Sequence, residues 1–241
     1  MLTSGGDSPG MNSAIRAVAR TCAHYNLKCT GIIRGYQGLI ENDTKVLYTR
    51  SVRGIINRGG TFLYSARSDE FKTEQGRKSA YDNLIKNNID GLVVIGGDGS
   101  FTGGLKLIQE YDFPVIGIPG TIDNDLFGTS HTLGYDTALN TATEAIDKIR
   151  DTAISHHRLF LVEVMGRDAG FIALNTGLAI GAQEILIPEV NMSLDNLIER
   201  AIAQDYESKI ICGLLVREVL DFVCLNHLEE LKEKLSKELK K

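Results

Sequence analysis

The chain has 241 residues, enough for one large domain or two modest lobes, and its hydrophobic content of 43% and charged content of 24% are ordinary for a globular protein. Its net charge of −5 argues against a nucleic-acid binder, which would carry a basic face. No apolar run is long enough to span a bilayer and no signal-peptide pattern opens the chain, so a cytoplasmic protein with no membrane partner is expected.

The four cysteines, Cys22, Cys29, Cys212 and Cys224, lack metal or redox spacing, and the five histidines form no ligand set. Strand, turn and helix patterns repeat along the chain, which predicts an α/β protein with a largely parallel sheet. Ser8-Pro9 predicts an N-cap and a first helical position, opening a helix to about Tyr25. Leu27 to Ile33 predicts a strand, Ser51 to Asn57 a short helix, and Arg77 to Asn87 a longer one. Leu92 to Ile95 is an apolar run, followed by Gly96-Gly97-Asp98-Gly99-Ser100 and a helix over Phe101 to Tyr111. Pro114 to Ile118 predicts a strand ending at Gly120-Thr121-Ile122-Asp123-Asn124-Asp125, and Asp136 to Arg150 a helix crossing to a second lobe. Leu159 to Val164 predicts a strand ending at Met165-Gly166-Arg167-Asp168, Ser193 the start of a further helix, and Ile210 to Val216 a strand ending at Arg217-Glu218. Leu228, Leu231, Leu235 and Leu239 at helical spacing predict a surface helix, with a short coiled-coil contact as the alternative.

The chemistry is expected beyond the carboxyl ends of the strands. The turn after Ile95 sets backbone N–H groups and a helix N-terminus against a phosphate. Asp98 within it would repel that phosphate without an intervening cation, which suggests Mg²⁺ bridging to a nucleotide. Thr3-Ser4-Gly5-Gly6-Asp7-Ser8-Pro9-Gly10 is a second glycine loop before a helix, either a phosphate loop or a tight structural turn. Asp123 and Asp125 share a face if the backbone there is extended, so one can take a proton while the other orients neighbours or the metal. An Asp-rich capping turn is the competing reading. Arg167 can hold phosphate oxygens bidentately or pair structurally with Asp168. Arg58, Arg67, Arg77 and Arg158 stand between the same two readings, phosphate ligand or solvated charge.

These motifs in this order resemble the ATP-dependent 6-phosphofructokinases of the bacterial type. The carrying segments are Leu2 to Asn12, Asn57-Arg58-Gly59-Gly60-Thr61, Gly96 to Ser100, Pro119 to Asp125 and Val164 to Arg167, and the likeness runs from Met1 to about Glu218. The resemblance implies two Rossmann-like three-layer lobes with mostly parallel sheets, 1–132 binding ATP and 133–241 binding the sugar phosphate. It also implies transfer of the ATP γ-phosphoryl to the 1-hydroxyl of fructose 6-phosphate. Asp123 would be the base, Arg167 and Thr121 would stabilise the transferring group, and Arg67 would reach the nucleotide phosphates. Asp98 would hold Mg²⁺, with Asp125 close by. Gly6, Tyr36, Ser68, Gly97, Gly99 and Ser100 would line the ATP site, while Arg158, Met165, Gly166 and Glu218 would contact the sugar phosphate. A tetramer is implied, with an effector pocket for ADP or phosphoenolpyruvate at Arg16, Arg20, Arg150, Glu184 and Lys209. Pyrophosphate-using relatives place bulkier residues where this chain has Gly99 and Gly120, so the likeness favours ATP.

The ends depart from the family pattern. Met1-Leu2 stands where the family has a full central strand, which predicts lost ladder hydrogen bonds and a lobe incomplete relative to the family. The family's returning segment, with its arginine and histidine cluster for the sugar 6-phosphate, has no match after Leu239. Two classes of function are therefore expected: a kinase, or a non-catalytic remnant or regulatory subunit that binds nucleotide without turnover. A lipid or NAD kinase sharing the Gly-Gly-Asp-Gly turn would not account for Met165-Gly166-Arg167.

Overall fold

The computed structural model describes residues 1–156, 160–190, 196 and 210–214. Packing divides the chain into two compact units: Met1–Ile122 with Leu126–Tyr135, and Asp123–Asp125 with Asp136–Lys241. The architecture is α/β, as read from the sequence.

The first unit runs β1 (Leu2–Thr3), α1 (Met11–His24), β2 (Cys29–Ile32), α2 (Gly35–Ile40), β3 (Thr44–Leu47), a 3-10 turn at Glu70–Lys72, α3 (Glu74–Lys86), β4 (Leu92–Gly96), α4 (Asp98–Tyr111), β5 (Val115–Thr121) and β6 (Leu133–Gly134). The order β1-β4-β5-β6 makes one parallel sheet, with Leu2 opposite Val94 and Val94 opposite Gly117. The antiparallel ribbon β2-β3 joins its β1 edge through the Ile32 amide, which donates to the Met1 carbonyl at 2.9 Å. Leu2 and Thr3 are fully buried, so this two-residue strand carries ladder bonds on one side and the ribbon on the other.

Alternation along β4 explains the layers. Leu92 and Val94 point into a cluster with Leu2, Ile32, Leu39, Ala80, Leu84 and Leu107 from β1, β2, α2, α3 and α4. Val93 and Ile95 point the other way, into a cluster with Met11, Ile15 and Ala19 of α1. Residues i and i+2 of a strand share a face, so a continuous apolar run buries both faces and requires helices on each. The result is a three-layer unit.

Several local expectations change. Ser8 does not cap α1: its hydroxyl donates to the Leu133 carbonyl at 2.9 Å, and Gly10 occupies the N-cap in a left-handed conformation at φ 93°. That φ is open to glycine and strained for residues with a Cβ, so the helix starts after Gly10 rather than at Pro9. Ser51 to Asn57 forms successive turns, not a helix, with Gly54 at φ 71° breaking the repeat. Helix α4 starts at Asp98, earlier than the expected Phe101, because the glycine turn itself supplies its first residues.

In the second unit α5 (Tyr135–His156) precedes β7 (Phe160–Val164), α6 (Phe171–Ile180), β8 (Glu184–Leu186) and β9 (Ile210–Leu214). The order β7-β9-β8 is again parallel. Phe160, Val162 and Val164 line one face of β7 against Ile146 of α5 and Ile180 of α6. The expected helix at Ser193 and the leucine-spaced helix over Leu228 to Leu239 lie outside the described residues. No helix among the described residues is long and apolar enough to cross a membrane.

Candidate functional site

Three neighbouring strand ends build the first unit's polar edge. At the end of β1, the Ser4 amide donates to the Ile95 carbonyl at 3.0 Å, which carries the β1-β4 pairing past the strand and lays the first glycine loop beside the second. The approach is close enough to require glycine. A Cβ on Gly96 would stand 2.6 Å from the Ser4 carbonyl oxygen and 2.5 Å from the Ser100 hydroxyl. A Cβ on Gly97 would stand 3.6 Å from the Thr121 side chain, so the end of β5 closes the group. Gly6 and Gly99 have open space beside them, with nothing within 4 Å of a Cβ built on either.

Gly97 caps α4, its carbonyl accepting from the Ser100 and Phe101 amides at 3.0 and 3.1 Å. Asp98 stands exposed in the first helical turn, where the helix dipole favours a negative charge. The arrangement offers phosphate oxygens open backbone and a helix N-terminus, with one carboxylate beside them. One carboxylate together with phosphate oxygens is a donor set that suits Mg²⁺. Among the described residues no cluster of three or more His, Cys, Asp or Glu side chains could hold a metal without such help.

The structure divides the remaining ATP-site expectations. Tyr36 is 4% exposed, stacks on Phe71 at 3.9 Å, and donates its hydroxyl to the Ser100 carbonyl at 2.6 Å. Burial pushes its phenol pKa up. It braces the glycine turn from below. Ser68 donates to Gln37 at 2.7 Å and accepts from the Phe71 amide at 3.2 Å, while Arg67 is exposed. Arg77 is not the solvated charge expected of it: it is half-buried in a structural ion pair, its Nε donating to both oxygens of Glu110, at 3.0 and 2.7 Å, and its Nη1 to the Lys72 carbonyl at 2.6 Å. Gly120 differs from Gly99. A Cβ there would face Ile95 and Met11 at 3.1 and 3.3 Å, so its lack of a side chain serves core packing, and only Gly99 opens space.

In the second unit, Asp123 and Asp125 are half-buried. The extended backbone expected between them is absent: β5 ends at Thr121 and Asn124 is left-handed at φ 54°, so strand alternation does not place these carboxylates. Beyond β7, Met165 is 71% exposed, Gly166 is buried, and Arg167 is left-handed at φ 55°. Arg167 Nε lies 3.4 Å from the Asp168 carboxylate, with both side chains more than half exposed. Such a pair is weak and leaves the guanidinium available.

The effector candidates fall in separate parts. Arg16 and Arg20 share α1 in the first unit, at i and i+4. Arg150 on α5 and Glu184 at the start of β8 belong to the second, with an Arg150 guanidinium nitrogen 3.7 Å from a Cβ built on Gly181. Arg158, Lys209 and Glu218 lie outside the described residues.

One bracing residue escaped the sequence reading. Asn12 is 6% exposed; it donates to the carbonyls of Arg58 and Gly60 at 3.2 and 2.9 Å and accepts from the Phe62 amide at 2.7 Å. The signal was available: Asn12 is a polar side chain on the apolar stripe Met11, Ala14, Ile15 of α1.

Parallel strands with helices on both faces and glycine turns at adjacent strand ends define the first unit as a three-layer α/β fold. The comparisons narrow this. The family model described as Phosphofructokinase matches residues 1–241, and the chain belongs to the phosphofructokinase family. It is 58% identical over 199 residues to the ATP-dependent 6-phosphofructokinase 2 of Bacteroides thetaiotaomicron, covering 83% of this chain and 61% of that protein. It is 54% identical over 218 residues to the ATP-dependent 6-phosphofructokinase of Brevibacillus brevis, covering 90% and 68%. The chain thus spans about six-tenths to two-thirds of the length of these curated relatives. Among solved structures, Pichia pastoris phosphofructokinase in the T-state matches with a TM-score of 0.88 at 34% identity, covering 98% of this chain and 28% of that one.

Proposed function

We propose that this chain carries the ATP-dependent phosphorylation of fructose 6-phosphate to fructose 1,6-bisphosphate, a cytoplasmic glycolytic reaction. The observation that carries the reading is the cradle at Ser4 to Gly6 and Gly96 to Ser100, where close-packed glycines leave open backbone beside the Asp98 carboxylate. The names of the relatives support ATP as donor.

In the reaction, the 1-hydroxyl oxygen attacks the γ-phosphorus as the bond to the ADP oxygen breaks, and the hydroxyl proton passes to Asp123. Gly6, Ser68, Gly97, Gly99 and Ser100 line the nucleotide site, with Tyr36 bracing the turn at Ser100 from beneath. Arg67, Thr121 and Arg167 offset charge on the transferring group, which has little covalent help and depends on positioning and electrostatics. Asp98 would hold Mg²⁺, with Asp125 as a further carboxylate for it, and the ion neutralises phosphate charge when bound. Arg158, Met165, Gly166 and Glu218 contact the sugar phosphate. On this reading residues 1–132 form the ATP lobe and 133–241 the sugar-phosphate lobe. A homotetramer, with control by ADP or phosphoenolpyruvate at Arg16, Arg20, Arg150, Glu184 and Lys209, belongs to the same proposal.

The test is ADP formation from Mg²⁺-ATP with and without fructose 6-phosphate, beside Asp123→Asn. Sugar-dependent turnover that falls by roughly 10²- to 10⁴-fold in the variant is expected for loss of a general base. Folded protein with no sugar-dependent ADP release overturns the reading.

A further inference from the structure

The segment Asn57-Arg58-Gly59-Gly60-Thr61 takes no part in the chemistry above, yet its residues Arg58 to Thr61 form one wall of a cavity of about 480 Å³ in the first unit. Ile33, Ile55, Phe62 and Tyr64 supply apolar and aromatic surface, and Lys45 and Arg58 supply charge. No carboxylate lines this cavity. Neither cation has an ion-pair partner among the described residues, in contrast to Arg34, Lys72, Arg77 and Lys148. Lys45 instead lies 5.7 Å from the centre of the Phe62 ring, which holds the ammonium over an aromatic face.

The cavity is also braced. Asn12 anchors the Arg58 and Gly60 carbonyls and the Phe62 amide from beneath, and the Thr3 hydroxyl donates to the Tyr64 carbonyl at 2.6 Å. Gly59 and Gly60 leave open space beside the backbone, with nothing within 4 Å of a Cβ on either. A concave, largely apolar site with a few fixed polar groups is the usual form of a small-molecule pocket, and this volume falls in the usual range of roughly 300–1,000 Å³. Two unpaired cations without a carboxylate set the sign of the ligand.

We propose that this cavity binds a small organic anion, a phosphate or carboxylate carried on a flat apolar body, with Arg58 and Lys45 on the anionic group and Ile55, Phe62 and Tyr64 around the body. None of its residues belongs to the glycine cradle or to the expected effector set, so the proposal does not depend on the reading of the active site.

The test is titration of the ¹⁵N-labelled chain with phenyl phosphate, benzoate and inorganic phosphate, following backbone amides in the wild type, Arg58→Gln and Lys45→Gln. Both side chains are exposed, and amides outside the loop report that each variant is folded. Saturable shifts at Gly59, Gly60 and Thr61 with phenyl phosphate or benzoate are expected. Binding should be weaker for inorganic phosphate, and should fall about tenfold in each variant, the loss of one charge-assisted hydrogen bond. The relative strength of phenyl phosphate and benzoate tells which anionic group is preferred. Shifts confined to Gly97 to Ser100, affinities unchanged in both variants, or no saturable shift at the loop for either aryl anion would each overturn it.

Discussion

Gly96 and Gly99 stand three residues apart in one turn and lack a side chain for different reasons. Gly96→Ala would drive a Cβ into the Ser4 carbonyl and Ser100, and overpacking of this kind costs about 1–3 kcal/mol. Thermal unfolding should show that loss. Gly99 sits in the first turn of α4 with open space beside it, so Gly99→Ala should leave stability unchanged or raise it by up to about 1 kcal/mol. Its expected effect is on ATP: a KM at least several-fold higher, because the methyl group takes space assigned to phosphate. An unchanged KM would place the nucleotide elsewhere. The turn itself was legible from residue types, since an apolar run entering Gly-Gly-Asp-Gly has few structural solutions. Which glycine packs and which one opens space was not, because that depends on Ser4 and Ser100 arriving from other parts of the chain.

Elements were legible where the apolar period was clear. Helices α1, α3 and α4 carry an amphipathic stripe, whereas α6 is apolar nearly all round and α2 is six residues long with two glycines, so neither announces itself. Within α6, Thr176 is fully buried and its hydroxyl has no hydrogen-bond partner among the described residues. An unsatisfied buried hydroxyl costs about 1–3 kcal/mol, so Thr176→Val should raise stability by an amount of that order in a chemical denaturation curve. Helices α3 and α4 are tied by Arg77 and Glu110. The hydrogen bond from Arg77 holds the Glu110 carboxyl below the usual glutamate range, with burial a smaller, opposing effect. A carboxyl depressed in the folded state stabilises the fold above its unfolded pKa, and that stability is lost as pH falls through the folded value. The stability gap between wild type and Arg77→Gln should therefore be present at pH 7 and close in acid. A gap that persists unchanged through the acid range would assign Arg77 to its carbonyl contacts alone.

At the scale of the molecule, the order β1-β4-β5-β6 turns separate motifs into neighbours. Residues near positions 5, 97 and 121 meet because their strands pair in parallel and end on the same edge. If that edge is the nucleotide site, ATP at about 100 times its dissociation constant should stabilise the bound state by about 2.7 kcal/mol. Hydrogen exchange should slow most in the first unit, around Ser4 to Gly6 and Gly97 to Phe101, and Asp98→Asn should weaken that protection. Protection confined to the second unit would contradict the assignment.

The sequence was sufficient for the α/β class, for the two glycine loops and for family membership, because these rest on local pattern and on motifs in fixed order. It also exposed Arg58 and its glycines as a distinct segment. Pairing in space decided the rest: Ser8 bonding Leu133 instead of capping α1, Tyr36 turned inward beneath Ser100, Gly120 packed against Ile95 and Met11, and Lys45 brought to the cavity that Arg58 lines. Each of these depends on contacts between residues far apart along the chain, and such contacts exist only once the strands have found their order.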